Sequence, residues 1–195
     1  MMPADQVLLQ RYKDGDARAF RDLVERYAPP VYRTALRLVG DPMEAENIAQ
    51  ETFLRVIKSV TRIQLEKPFK PYLFRIAINL CYDYGRKKRA VLFTDLDNGR
   101  TEADDPASEL ILDNEPQPWE RAEKHALARE VSAAVDALPA PYKSAIVLRY
   151  AQEFTYEEIA IALDIPINTV RTHLRRGKNY LRVSLAEQSK WMRRV

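Results

Sequence analysis

One cysteine, two histidines and five glycines are few for a chain of 195 residues, and each scarcity excludes something. A lone Cys81 cannot close an internal disulfide and suits a reducing compartment. His125 and His173 stand apart from each other and from the single cysteine, so no metal-ligand spacing exists and no metal is expected. The sequence holds no glycine-rich phosphate loop and no nucleophile–base pairing, which leaves little support for an enzyme or a cofactor. No apolar run approaches the ~18 residues of a membrane span. The opening stretch MMPADQVLLQRYKDGD lacks the apolar core of a signal peptide. These absences lead to the expectation of a cytoplasmic chain without membrane insertion. Period-two runs of β-branched residues are also missing beyond a few positions. Scarce glycine among many Ala, Leu, Arg and Glu then favours an all-α fold.

What is present is charge, unevenly placed. The net charge of +3 conceals three blocks. Residues 1–90 carry 17 Lys and Arg against 11 Asp and Glu, residues 91–118 one Arg against eight acids, and residues 119–195 13 bases against nine acids. Two basic helical blocks flanking an acidic segment suggest two small nucleic-acid-facing domains, 1–90 and 119–195, joined by a flexible linker, 91–118. The linker VLFTDLDNGRTEADDPASELILDNEPQP has Asp-Asn-Gly, Asp-Pro and Pro-Gln-Pro breakers and should be mostly extended. Leu110, Ile111 and Leu112 interrupt it as a possible docking element.

The first block reads as four helices. One runs from about Asp5 to Tyr27, where YAPP should end it, and a second from about Val31 to Val39, stopped by Gly40. The third opens on Asp41 as N-cap, with Pro42 in the first turn and Glu44 completing a capping box. Its core face is Ile48, Ala49, Phe53, Val56, Ile57 and Val60; the other face shows Glu46, Asn47, Gln50, Glu51 and Leu54. After a loop over residues 62–70, a fourth helix from about Pro71 to Arg89 interleaves Tyr72, Phe74, Tyr82 and Tyr84 with Arg75, Arg86, Lys87, Lys88 and Arg89. Exposed rings beside cations suit unpaired bases and phosphates. Core aromatics with a solvated basic end explain the same pattern.

In the second block a helix over residues 118–138 carries Leu127, Val131, Ala134, Val135 and Leu138 as its core face. Another follows over LPAPYKSAIVLRY. Thr155 and Glu158 form a capping box for a short acidic helix. Asp164 suits a left-handed turn, and Pro166 blocks continuation. Asn168 is placed to cap a last helix with a thin apolar stripe of Val170, Leu174 and Leu181 and arginines elsewhere. That is the pattern of a helix-turn-helix; a solvated αα-hairpin is the plainer alternative.

Three stretches together carry a family resemblance. DPMEAENIAQETFLRVIKSV is similar to the clamp-binding helix of bacterial sigma factors of the extracytoplasmic-function (ECF) group, within the sigma-70 family. FKPYLFRIAINLCYDYGRKKRA resembles their strand-opening helix. LPAPYKSAIVLRYAQEFTYEEIAIALDIPINTVRTHLRRGKNYLR resembles their second DNA-binding domain. The order of the three, split by an acidic linker, covers nearly the whole chain.

The resemblance implies a transcription initiation factor that directs core RNA polymerase to promoters. Asn47, Gln50, Glu51 and Leu54 would meet the polymerase clamp, and the second domain the flap. Lys67, Lys70, Tyr72, Arg75, Asn79, Arg86 and Lys87 would hold the melted −10 strand. Thr169, Arg171, Thr172, Arg175, Arg176 and Asn179 would read the −35 duplex, where arginine pairs bidentately with guanine. An anti-sigma factor is a further expected partner. His173 neighbours the groove-facing residues and is placed to touch phosphate or to pack. The chain departs from the family pattern in having Tyr72 for tryptophan, Asp164 for glycine and Gly177 for alanine. Gly177 is expected to loosen the last helix by about 0.5–1 kcal/mol. The competing readings are a conventional helix-turn-helix regulator acting without polymerase, and a protein that sequesters polymerase without opening DNA.

Overall fold

A computed structural model describes the backbone of residues 4–96 and 118–192 and the side chains of residues 4–90 and 127–186. The middle of the acidic segment, with Leu110, Ile111 and Leu112, lies outside the described residues, as does the side chain of His125. Among the described residues every regular element is helical. The first bundle comprises α1 (Asp5–Lys13), α2 (Ala17–Val39), α3 (Pro42–Ser59), a 3₁₀ turn (Val60–Arg62) and α4 (Phe69–Leu96). The second comprises α5 (Pro118–Asp136), α6 (Ala140–Tyr150), α7 (Tyr156–Leu163) and α8 (Ile167–Met192).

The expected first two helices are partitioned differently. The break falls at Gly15, whose φ of 98° is open to glycine, and Asp16 then caps α2 by accepting from the Arg18 amide. The expected stop at YAPP does not occur, and α2 runs through Pro29 and Pro30 to Val39. Two prolines remove two helical donors. Against that, Leu23, Tyr27, Val31 and Ala35 form one uninterrupted buried face across the prolines, and burying such side chains is worth about 1.5–3 kcal/mol each. Gly40, at φ 77°, ends the helix in the left-handed conformation. Asp5 pins α1 to α2 by accepting from Arg26 at 2.5 Å and from the Tyr27 hydroxyl at 2.6 Å.

α3 begins with Asp41 as N-cap as expected, accepting from the Glu44 amide, but the Glu44 carboxylate does not complete the expected box and accepts from Asn47 at 3.4 Å instead. Its buried face is Ala45, Ile48, Ala49, Thr52, Phe53 and Val56; Ile57, expected in the core, is exposed. α4 starts at Phe69 and continues to Leu96, so the first six residues assigned to the linker are helical. Few of its aromatics are free. Phe74 is fully buried and Tyr82 is half-buried, its hydroxyl 2.9 Å from Ser144 Oγ. The core alternative holds for those two rings. Cys81 is buried as well, and burial pushes its thiol up to about 12.

In the second bundle Ala134, Val135 and Leu138 are buried as expected, whereas Leu127 and Val131 are exposed. They lie one to two turns before the buried end of α5, so helical periodicity continued past the point where packing does. Thr155 and Glu158 form the reciprocal capping box, and Asp164 takes the left-handed conformation at φ 55°. The last helix starts one residue before the expected cap. The Pro166 carbonyl accepts from Thr169 and Val170, while the Asn168 side chain accepts from Arg171. Gly177 is the larger correction. A Cβ there would stand 2.8 Å from Ile146 Cγ1, so this glycine is a close-approach point between α6 and α8 rather than a loose spot.

Candidate nucleic-acid and protein interfaces

Three surfaces collect the residues singled out by sequence. On α3, Asn47, Gln50, Glu51 and Leu54 fall at i, i+3, i+4 and i+7 and so share one face. Asn47, Gln50 and Leu54 are exposed, Leu54 at 49%, and Glu51 is half-exposed. Their polar groups are engaged only along the helix, Gln50 with Glu46 and Glu51 with Arg55. Beside them lies a groove of about 750 Å³ between α2 and α3, walled by Val24, Ala28, Tyr32, Phe53 and Ile57. Sequence reasoning missed the α2 wall and Ile57. Ile57 sits at helical core spacing, and only the position of α2 shows that it reaches the rim instead.

The α4 residues are less uniform. At 100° per residue, Tyr72, Asn79 and Arg86 line one stripe, with Arg75 and Lys87 flanking it. Asn79, Arg86 and Lys87 are exposed. The half-buried Tyr72 places its hydroxyl 2.9 Å from Ser59 Oγ, which fixes the ring at the edge of the loop after α3. Lys67, Tyr72 and Arg75 rim a cleft of about 860 Å³, whose opposite wall is Ile161, Asp164 and Pro166 of the second bundle. Lys70 is turned to the other side of α4. Its Nζ donates to the Gln152 carbonyl at 2.9 Å and lies 4.5 Å from the centre of the Phe154 ring. Arg75 donates to Asp164 at 2.6 Å. The structure therefore gathers Tyr72, Arg75, Asn79, Arg86 and Lys87 and separates Lys70 from them.

α8 has the simplest arrangement. Val170, Leu174 and Gly177 are buried, and Leu181 is partly buried, giving one narrow stripe. Thr172, Arg175, Arg176 and Asn179 project from the opposite side by the same periodicity. Arg171, Arg175, Arg176 and Asn179 are exposed, and Thr169 and Thr172 are half-exposed. Thr172 Oγ1 donates to the Asn168 carbonyl. Arg171 and Lys178 lie nearer the buried side, and Lys178 Nζ sits 5.6 Å from the Tyr150 ring centre.

Tyr142 of α6 braces this face and was not singled out by sequence. Its ring meets those of His173 and Tyr180 at 5.4 and 5.8 Å, and its hydroxyl accepts from Arg176 at 3.1 Å. His173 thus packs, with a buried Nδ1 that has no hydrogen-bond partner. Burial, and secondly the Arg176 charge, hold its pKa below the ordinary value of 6.5. Among the described residues, no group of His, Cys, Asp and Glu could hold a metal, and no helix is long and apolar enough to cross a membrane.

Comparison with known proteins places one match in each bundle. The family described as Sigma-70 region 2 matches residues 23–91, and that described as Sigma-70, region 4 matches residues 128–181. The chain is 33% identical over 179 residues to the ECF RNA polymerase sigma factor SigW of Bacillus subtilis (strain 168), covering 92% of this chain and 95% of that protein. It is 36% identical over 170 residues to the ECF RNA polymerase sigma factor SigE of Mycolicibacterium smegmatis, covering 86% of this chain and 62% of that protein. Among solved structures, the sigma factor RpoE of Bartonella quintana, crystallised with the anti-sigma factor NepR, shares the fold. The TM-score is 0.66 at 24% identity, over 87% of this chain and 98% of that one.

Proposed function

Since this chain belongs to the ECF group of sigma-70-family RNA polymerase sigma factors, we propose that its three surfaces divide the work of promoter selection among polymerase, melted strand and duplex. Transcription initiation is the activity of the family. The first bundle is the polymerase-docking and −10 unit and the second is the −35 unit. The work is done in the cytoplasm, where polymerase is, and the chain contributes binding rather than chemistry of its own.

Asn47, Gln50, Glu51 and Leu54 dock on the polymerase clamp. Amides and a carboxylate around an exposed leucine, beside an apolar groove, match the mixed anatomy of a protein interface. Tyr72, Arg75, Asn79, Arg86 and Lys87 engage the −10 strand, with the ring stacking on a base and the cations following phosphates. Thr172, Arg175, Arg176 and Asn179 enter the −35 major groove, while Thr169 and Arg171 lie at its edge. The second bundle also meets the polymerase flap, and an anti-sigma factor competes for these surfaces.

The observation that carries this reading is the α8 surface, a row of exposed arginines directly opposite a single buried stripe, on the second helix of a helix-turn-helix. A regulator acting without polymerase would use the same helix, so the deciding experiment addresses α3. Gln50→Ala with Glu51→Ala should fold normally, since both side chains are outside the core. Its binding to core polymerase, titrated by fluorescence anisotropy, should weaken by more than about 1 kcal/mol. Unchanged affinity would remove the docking assignment.

A further inference from the structure

Three exposed arginines of α8 are held by neutral acceptors, and they are held differently. Arg171 donates to Asn168 Oδ1 at 2.9 Å and Arg182 to Asn179 Oδ1 at 2.8 Å, both along their own helix. Arg176 instead reaches across to α6, where the Tyr142 hydroxyl accepts from its Nη1 at 3.1 Å. A partner three residues away moves with the arginine it holds. A partner on another helix fixes the guanidinium relative to the whole bundle.

Tyr142 is itself well placed to act as that fixed point. It lies in the first turn of α6, where its amide donates to the Pro139 carbonyl at 2.9 Å. Its half-buried ring is held from two sides by α8. The His173 ring meets it at 66° and the Tyr180 ring at 32°. His173, Gly177 and Tyr180 fall at i, i+4 and i+7, so the ring lies along one stripe of α8. Gly177 makes the room. A Cβ there would stand 3.6 Å from Tyr142 Cβ and 2.8 Å from Cγ1 of Ile146, one turn further along the same face of α6. With no side chain at 177, α6 seats close enough for the Tyr142 hydroxyl to reach Arg176.

From this geometry we infer that Tyr142 is a positioning residue for −35 recognition. Its hydroxyl orients the Arg176 guanidinium before DNA arrives and so sets how strongly Arg176 discriminates at the base it meets. The inference rests on α8 being the −35 surface. A guanidinium has five N–H donors, and Tyr142 takes one, which leaves the others for a guanine edge or a phosphate. The acceptor is a neutral hydroxyl, so it restrains the arginine without cancelling its charge. An arginine that swings freely in solvent loses rotamer freedom when it docks, and one already held loses less. A fork held in one direction also fits one arrangement of acceptors and cannot turn to accommodate another. The effect of Tyr142 is therefore concentrated at a single base position.

Tyr142→Phe tests this, because it removes the hydroxyl and keeps the ring between His173 and Tyr180. Core polymerase with the full chain selects promoters from a library randomised over the −35 element. Wild type, Tyr142→Phe, Arg176→Ala and the double variant are compared. Arg176→Ala identifies the position that this arginine reads. Tyr142→Phe should lower selection at that same position about two- to tenfold, the value of one pre-ordered side chain, and leave the other positions as they are. In the Arg176→Ala background it should add nothing. Full selection by Tyr142→Phe, a loss spread over all positions, or a loss that persists in the double variant overturns the inference and leaves the ring as a brace alone. Unchanged −35 selection by Arg176→Ala overturns the −35 role of Arg176, and the inference falls with it. A second measurement uses no DNA. Nitrogen-15 relaxation of the arginine Nε–H groups in the free protein should show Arg176 more ordered than Arg175, and Tyr142→Phe should abolish the difference. Equal order of the two groups in wild type overturns the inference as well.

Discussion

The two longest helices, α4 and α8, are both basic and both assigned to DNA, yet they are built differently. The 28 residues of α4 pass between α2 and α3 on one side and α7 on another, so Leu73, Phe74, Ala77, Ile78 and Cys81 are all buried. The described side chains of the 26-residue α8, up to Ala186, rest on the second bundle along one stripe, and most of the cations among them face outward. A helix enclosed on several sides has few side chains free to bind a ligand, and some of its cations become structural. A helix supported on one side keeps nearly all of them available. The same composition therefore carries different meaning in the two helices.

The largest expected effect separates them by stability. Phe74→Ala in α4 should cost about 3–5 kcal/mol, as truncation of a buried aromatic does. Val183→Ala, at an exposed position of α8, should stay within about 0.5 kcal/mol. Urea unfolding of both variants checks this, and similar midpoints would mean that α4 is not enclosed.

Next comes base preference on α8. Arg175→Ala should cost about 1–3 kcal/mol and relax selection at one −35 position. Lys178→Ala, on the flank near Tyr150, should weaken all sequences alike and lower the salt dependence. Selection of promoter sequences by each variant separates the two. If Arg175→Ala retains the wild-type preference, the reading face shifts towards Thr172, Arg176 and Asn179.

Gly177→Ala has a sign that depends on which account is right. Helix propensity alone predicts stabilisation, whereas the contact with Ile146 predicts a loss of about 1–3 kcal/mol from overpacking. Thermal unfolding of the variant reads the sign directly. A gain would show that α6 yields easily and that α8 is less tightly seated than described.

The smallest effect is a pH dependence. His173 has its pKa lowered in the fold, chiefly by burial, so the unfolded chain binds the proton more readily. Stability of the second bundle should therefore be unaffected well above 6.5, and fall as pH drops below that value towards the lowered folded pKa. His173→Gln should remove that slope in denaturation curves taken across the range. A slope that persists belongs to another group.

Local grammar was legible in the residues themselves. The Asp41 and Thr155 caps, the glycine stop at Gly40, the left-handed Asp164 and the buried Val170–Leu174 stripe are short-range events, fixed within a turn or two by backbone geometry and period. The faces of α3 and α8 could be read for the same reason, because face membership follows from spacing, whereas the partner expected at each surface came from the family resemblance. Tertiary structure decided what spacing cannot carry. It kept α2 whole through Pro29 and Pro30, because a continuous buried face outweighs two missing donors. It moved Ile57, Leu127 and Val131 outward, because a core face ends where its neighbour ends. It made Gly177 a point of contact and turned Lys70 towards Phe154, because both depend on residues more than thirty positions away in the chain. Periodicity names the face of a helix, but only the packed neighbour determines whether that face meets core, another domain or solvent.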